Sequence, residues 1–98
     1  MRAAVLREPA AISRKPLQIS DVPRPGLGEG HVPLQVRACG ICRTDLHIVE
    51  GELPPRRESV IPGHQIVGAV VEDATATLPV GARVGVSWIG AVDGSCWC

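Results

Sequence analysis

The sequence predicts a mainly β chain, a small closed or half-open barrel interrupted by one or two short helical turns. Several short stretches alternate apolar and polar residues, the mark of strands with one buried face. Eleven Gly and nine Pro punctuate the 98 residues, which suits short strands and tight turns better than long helices. Closing such strands on themselves removes exposed edges, so a barrel is the economical arrangement.

The elements follow in chain order. Arg2 to Leu6 reads as an opening strand, and Leu17 to Val22 as a second, half-buried one. Pro23 to Gly30 is a loop by its Pro and Gly content. Val32 to Ala38 alternates again, with Val32, Leu34 and Val36 on one face and Pro33 confined to the strand's start or an edge. From Cys42 to Val49 the pattern turns helical for a turn or two, with Thr44 or Asp45 as its cap. Glu50 to Glu58 is a polar, Pro-rich loop. Ile61 to His64 forms a turn that leads into Gln65–Val71, an apolar run expected as a buried strand, and Ala82 to Trp88 is the last strand. Gly68 and Gly85, inside strands, suggest tight corners or close backbone approach.

Composition bounds the functions. At this length the chain is one domain at most. Hydrophobic residues make up 45%, with no Phe or Tyr and only Trp88 and Trp97 as aromatics, so a core must be built from Val, Ile, Leu and Ala. Ten basic and ten acidic residues balance, with no Lys/Arg run, which argues against nucleic acid or a membrane surface as partner. No apolar run is long enough to span a bilayer, and Arg7-Glu8-Pro9 interrupts the N-terminal stretch before it could serve as a signal peptide. The four cysteines are therefore expected as reduced thiols in the cytoplasm, open to metal or catalysis, with disulfide pairing as the alternative.

Two runs carry the chemistry: Cys39-Gly40-Ile41-Cys42-Arg43-Thr44-Asp45-Leu46-His47 and Pro62-Gly63-His64-Gln65. The C-x-x-C of Cys39 and Cys42 suits half a metal site or a redox pair, although the βαβ pattern of thioredoxin-like pairs is missing. Cys39 follows an alternating strand and reads as a small buried hydrophobe. Cys42 has a hydroxyl, a carboxylate and an imidazole close behind it in sequence. His64 sits in a Pro-Gly turn that can aim it sharply, whereas His31, alone in a loop, reads as solvated. Spacing alone leaves a metal site and plain helix capping by Thr44 or Asp45 both open.

These two runs, with Gly81-Ala82-Arg83-Val84-Gly85-Val86 downstream, closely resemble the N-terminal catalytic domain of zinc-dependent alcohol dehydrogenases of the medium-chain dehydrogenase/reductase family. The resemblance covers essentially the whole chain and implies a GroES-like, partly open β-barrel over residues 1–98. The rest of that domain and the Rossmann cofactor domain would lie outside these residues. It implies oxidation of a primary or secondary alcohol to an aldehyde or ketone, with zinc and NAD(P) as cofactors. Cys42 and His64 would be two ligands of the catalytic zinc, and Asp45 would hold the His64 imidazole. Thr44 would take the alcohol's proton and His47 would pass it towards solvent through the cofactor ribose. Arg43 would face the cofactor pyrophosphate. Thiolate and imidazole donors suit zinc over magnesium or calcium.

Some residues depart from the family pattern. Gln65 stands where the family usually carries Glu, so it brings no charge beside His64. Cys96 fits the first ligand of a structural zinc, while Cys98 falls one residue early for the second and is unassigned. No G-x-G-x-x-G follows a strand, so these residues have no helix N-terminus with which to grip a dinucleotide. The 98 residues alone are therefore expected to be inactive. Two other readings compete: a non-catalytic binding module that keeps the barrel, and a small zinc protein built on Cys39, Cys42, Cys96 and Cys98. Substrate identity, the choice between NAD and NADP, and whether a full-length enzyme forms a homo-oligomer are not set by these residues.

Overall fold

The computed structural model describes residues 1–72, 78–89 and 95. Five strands and one α-helix are present among them: β1 (Arg2–Leu6), β2 (Leu17–Asp21), β3 (Leu34–Gly40), α1 (Arg43–Glu50), β4 (Gln65–Val70) and β5 (Arg83–Val86). All strand pairs are antiparallel. The expected mainly β class with one short helix is therefore what the chain adopts. It divides into two compact units, Met1–Gly28 with Ile41–Gly63, and Glu29–Gly40 with His64–Cys98.

The first unit holds the β1–β2 hairpin and α1. Arg2 pairs with Asp21 and Leu6 with Leu17, an unbroken register across the whole strand. Val5 and Leu6 are buried at 3% and 2% exposure, and the Leu6 and Val60 backbones exchange two hydrogen bonds of 2.8 and 2.9 Å. A single 3₁₀ turn, Ile12–Arg14, precedes β2. The end of α1 is tied to it: the Ile12 N–H donates to Glu50 Oε1 at 3.0 Å and the Ala10 N–H to the Val49 carbonyl at 3.1 Å. Val49, on α1, is buried. The half-buried reading of β2 needs correction, because Leu17 and Ile19, its apolar alternates, are 36% and 67% exposed. Nothing described in the unit covers that face, so alternation here marks an apolar face without marking a buried one.

The second unit is a three-stranded sheet in the order β3-β4-β5. Pro33 lies just before β3 and accepts the Val71 N–H through its carbonyl, which agrees with its expected place at the strand's start. The strand runs on to Gly40, further than the alternation suggested. A bulge between Val36 and Ala38 breaks the register and leaves Arg37 as the extra residue. Leu34 and Val36 both precede that bulge, paired in one register with Val70 and Gly68, and so share a face as expected, with Val32 just before the strand; that face is unevenly covered, Leu34 being half-buried and Val36 58% exposed. In β4 the continuous apolar run is not buried throughout. Gly68 and Val70 are buried, but Gln65 and Val67 on the opposite face are exposed. A Cβ on Gly68 would stand 3.0 Å from the Gln35 carbonyl oxygen, the close approach expected of it. Gly85 shows no such close approach among the described residues, where the nearest atom to its would-be Cβ is 4.0 Å away.

Candidate metal centre and proton path

Five of the residues singled out from the sequence are brought together by the start of α1. Cys42 is the N-cap, with extended backbone, and Arg43 and Thr44 open the first turn. Asp45, one turn in, reaches back so that its Oδ2 accepts the Cys42 N–H at 3.0 Å. That is the carboxylate half of a capping box, a charge-assisted bond to one of the donors a helix start leaves unpaired. The cap is thus Cys42, not Thr44 or Asp45 as the sequence suggested. A thiol is not among the preferred cap side chains, and local propensity therefore pointed two or three residues late.

The result is a graded first turn. Asp45 is buried at 7% exposure, Cys42 is half-buried, and Arg43 and Thr44 are exposed. The half-buried thiol sits at the positive end of the helix dipole, a favourable place for an anionic ligand. Nothing links Cys42 and Cys39 as a disulfide. Cys39 itself is exposed on β3, its Sγ 3.6 Å from the Gly40 carbonyl, which corrects its reading as a buried hydrophobe.

His47 stands on the same helix one turn further along, its side chain 34% exposed. Its Nδ1 lies 2.5 Å from Glu52 Oε2. Sequence reasoning left Glu52 in a polar loop. The signal that could have found it is Gly51: glycine just past a helix commonly takes the left-handed cap that turns the chain back on the last turn. Here Gly51 has φ 83°, and the Glu52 N–H returns to the His47 carbonyl at 3.0 Å.

His64 and Gln65 belong to the second unit. His64 is half-buried and follows Gly63, whose φ of 137° is open to glycine, before β4 starts at Gln65. Gln65 pairs with Gly40, and its side chain lies over that glycine: a Cβ there would stand 2.7 Å from Gln65 Oε1 and 3.2 Å from Gln65 Cβ. Its amide is therefore spread against the C-x-x-C glycine, on the exposed side of β4. Cys42, Asp45 and His64 each offer one ligand atom, a thiol sulfur, a carboxylate oxygen and a ring nitrogen. That donor chemistry fits zinc. Cys96, expected at a structural zinc, lies outside the described residues, as do Cys98 and Trp97. His31 is exposed in its loop. No helix among the described residues is long and apolar enough to cross a membrane.

Residues 28–98 match the family described as the alcohol dehydrogenase GroES-like domain. Over 98% of its length, the chain is 42% identical to a probable alcohol dehydrogenase of Mycobacterium tuberculosis, covering 30% of that protein. It is 43% identical to an alcohol dehydrogenase of Geobacillus stearothermophilus and 44% identical to one of Rhizobium meliloti, covering 28% of each. The chain thus spans about three-tenths of the length of these relatives.

Proposed function

The chain belongs to the alcohol dehydrogenase GroES-like domain family, and from that membership we propose that residues 1–98 form the front of the catalytic domain of a zinc-dependent alcohol dehydrogenase. The reaction is oxidation of a primary or secondary alcohol to an aldehyde or ketone, with NAD(P) as acceptor. The observation that carries it is the start of α1, where thiol, hydroxyl, carboxylate and imidazole are set on successive turns and Asp45 fixes the Cys42 backbone. A barrel needs none of these groups for packing, and three of them, on Cys42, Thr44 and His47, are at least partly open to solvent.

In this reading Cys42 and His64 hold zinc, and Asp45 orients the His64 imidazole. When bound, zinc supplies a Lewis acid that eases loss of the alcohol's proton, and the nicotinamide supplies the hydride acceptor. The chain's own residues manage that proton. The exposed Thr44 hydroxyl accepts it, and His47, half-exposed one turn further on, passes it towards solvent; the same imidazole would face the cofactor ribose when the cofactor is bound. Arg43, exposed on the first turn, would face the cofactor pyrophosphate, to which its planar fork of donors is suited. Gln65 leaves the ligand His64 without a neighbouring charge. The site's reduced thiols fit a cytoplasmic protein, and a small alcohol is the partner.

Metal analysis of the protein at its native length tests the site. Zinc should fall by at least tenfold in Cys42→Ser and in His64→Ala, with the fold retained by circular dichroism. Full zinc content in both variants would reject the assignment. Residues 1–98 expressed alone should form no NADH from alcohol, because no Gly-rich dinucleotide loop lies within them. Alcohol-dependent NADH from that piece would overturn the division of labour.

A further inference from the structure

We propose that Glu52 is a positioning residue that fixes the His47 imidazole with its proton on Nδ1 and leaves Nε2 as the proton-accepting nitrogen. The inference deepens the proton path above and rests on that reading of His47, but the contact itself comes from the first unit alone.

Two independent constraints converge on the pair. The side chains meet at 2.5 Å, Nδ1 to Oε2. The backbone holds them there as well: the His47 carbonyl accepts the N–H of Glu52 at 3.0 Å and that of Leu53 at 3.4 Å. Gly51 makes the return possible. At φ 83° it occupies the left-handed region, and a Cβ there would lie 2.9 Å from Pro9 Cβ, a ring atom that cannot swing aside. Glu52 is therefore delivered to His47 by the helix's own ending and not by chance rotation of a long side chain.

Stability does not explain the contact. The two side chains are 34% and 58% exposed, and ion pairs that open to water contribute little. Orientation does explain it. A carboxylate can only accept, so a neutral imidazole facing it must present Nδ1–H. The lone pair is then on Nε2, because the hydrogen bond at one ring nitrogen decides the state of the other. A proton arriving at Nε2 gives an imidazolium beside a carboxylate, and its release to water restores the starting tautomer. Nothing else in the ring has to move. Without Glu52 the ring falls back on the preference of a free histidine side chain for Nε2–H, which leaves the wrong nitrogen bare.

Long-range ¹H–¹⁵N spectra of the neutral His47 ring, on the protein at its native length, read the tautomer directly. The wild type should carry its proton on Nδ1. Glu52→Ala should exchange the protonated-type and bare-type resonances between the two nitrogens. Glu52→Gln, whose amide oxygen still accepts, should keep the wild-type pattern. A role confined to shaping the loop would leave the tautomer of Glu52→Ala unmoved. That result, or Nε2–H in the wild type, overturns the proposal. Zinc content separates this outcome from the site assignment: Glu52→Ala should keep its zinc, and only Cys42→Ser and His64→Ala test the metal. Tautomer control with no loss of zinc in those two would leave Glu52 in place and remove the dehydrogenase reading.

Discussion

Asp45 is buried at 7% exposure, and a carboxyl group so placed is costly unless hydrogen bonds compensate its lost hydration. One of them, at 3.0 Å, comes from the Cys42 N–H. Asp45→Ala removes that acceptor, the carboxylate half of the capping box, at a cost of about 1–2 kcal/mol. Asp45→Asn keeps an oxygen there and should lose less than half as much. Urea unfolding with matched circular dichroism at the helix minimum checks both, and equal losses would mean that the charge matters more than the bond. Gly51 behaves as a second fixed point. Gly51→Ala meets both a positive φ and the Pro9 ring, and should cost about 1–3 kcal/mol while disordering the His47–Glu52 contact. At this scale, spacing and family resemblance drew attention to the first turn of α1, where the structure sets Cys42, Arg43, Thr44 and Asp45 side by side. The cap was not legible, because capping preferences are measured on hydroxyl and carboxamide side chains and give no weight to a thiol. Glu52 was not legible either: its role depends on a left-handed turn at Gly51, which composition reports only as loop.

At the scale of elements, strand and helix existence followed from pattern, and burial did not. Gln65 to Val70 looked continuously apolar, yet the pleat sends Gln65 and Val67 to the open face and Gly68 and Val70 to the closed one. In β3 the bulge at Arg37 adds one residue to one strand only, so period-two arguments hold for Leu34 and Val36 and shift by one from Ala38 on. Two glycines that look alike in sequence separate for the same local reason. Gly68 lies directly against the Gln35 carbonyl and Leu34 Cβ, at 3.0 and 3.2 Å from a would-be Cβ. Among the described residues, the nearest atom to a would-be Cβ on Gly85 is the Ile66 carbonyl oxygen, 4.0 Å away. Gly68→Ala should therefore lower stability by about 1–3 kcal/mol through overpacking against backbone. Gly85→Ala should stay within about 0.5 kcal/mol of wild type, since it adds a methyl to open space. Thermal midpoints of the two variants, measured side by side, decide this. A larger loss at Gly85 would mean that its strand position is constrained by something other than space.

At the scale of the molecule, the balance of buried and exposed apolar groups is the informative quantity. Among the described residues, the buried hydrophobic side chains are Val5, Leu6 and Val49 in the first unit and Val70 in the second, each at 3% exposure or less. Against them stand Ile19 at 67%, Ile41 at 88%, Val80 at 62% and Trp88 at 81%. Scattered exposed apolar residues are ordinary, but so many beside so few buried ones leave little apolar burial to offset the chain entropy of ordering 98 residues. The missing aromatics deepen the shortfall, because Phe and Tyr are the side chains that bury most area each. Family membership, fold class and the zinc-type motif could all be read from the sequence; the sparseness of this core could not, since hydrophobic content of 45% says how much could be buried and not how much is. Residues 1–98 expressed alone should therefore be only marginally stable, well under the roughly 5 kcal/mol at the lower end for ordinary domains. They should also bind an apolar dye such as ANS at neutral pH, as exposed apolar surface does. Guanidinium unfolding followed by Trp fluorescence, alongside dye titration, measures both quantities on one sample. A steep transition above that threshold without dye binding would mean that the open face of β2 and the exposed Trp88 and Ile89 are compatible with an independent fold. A shallow transition with dye binding would mean that those apolar groups need a covering surface before the site at the start of α1 can be held rigid enough to work.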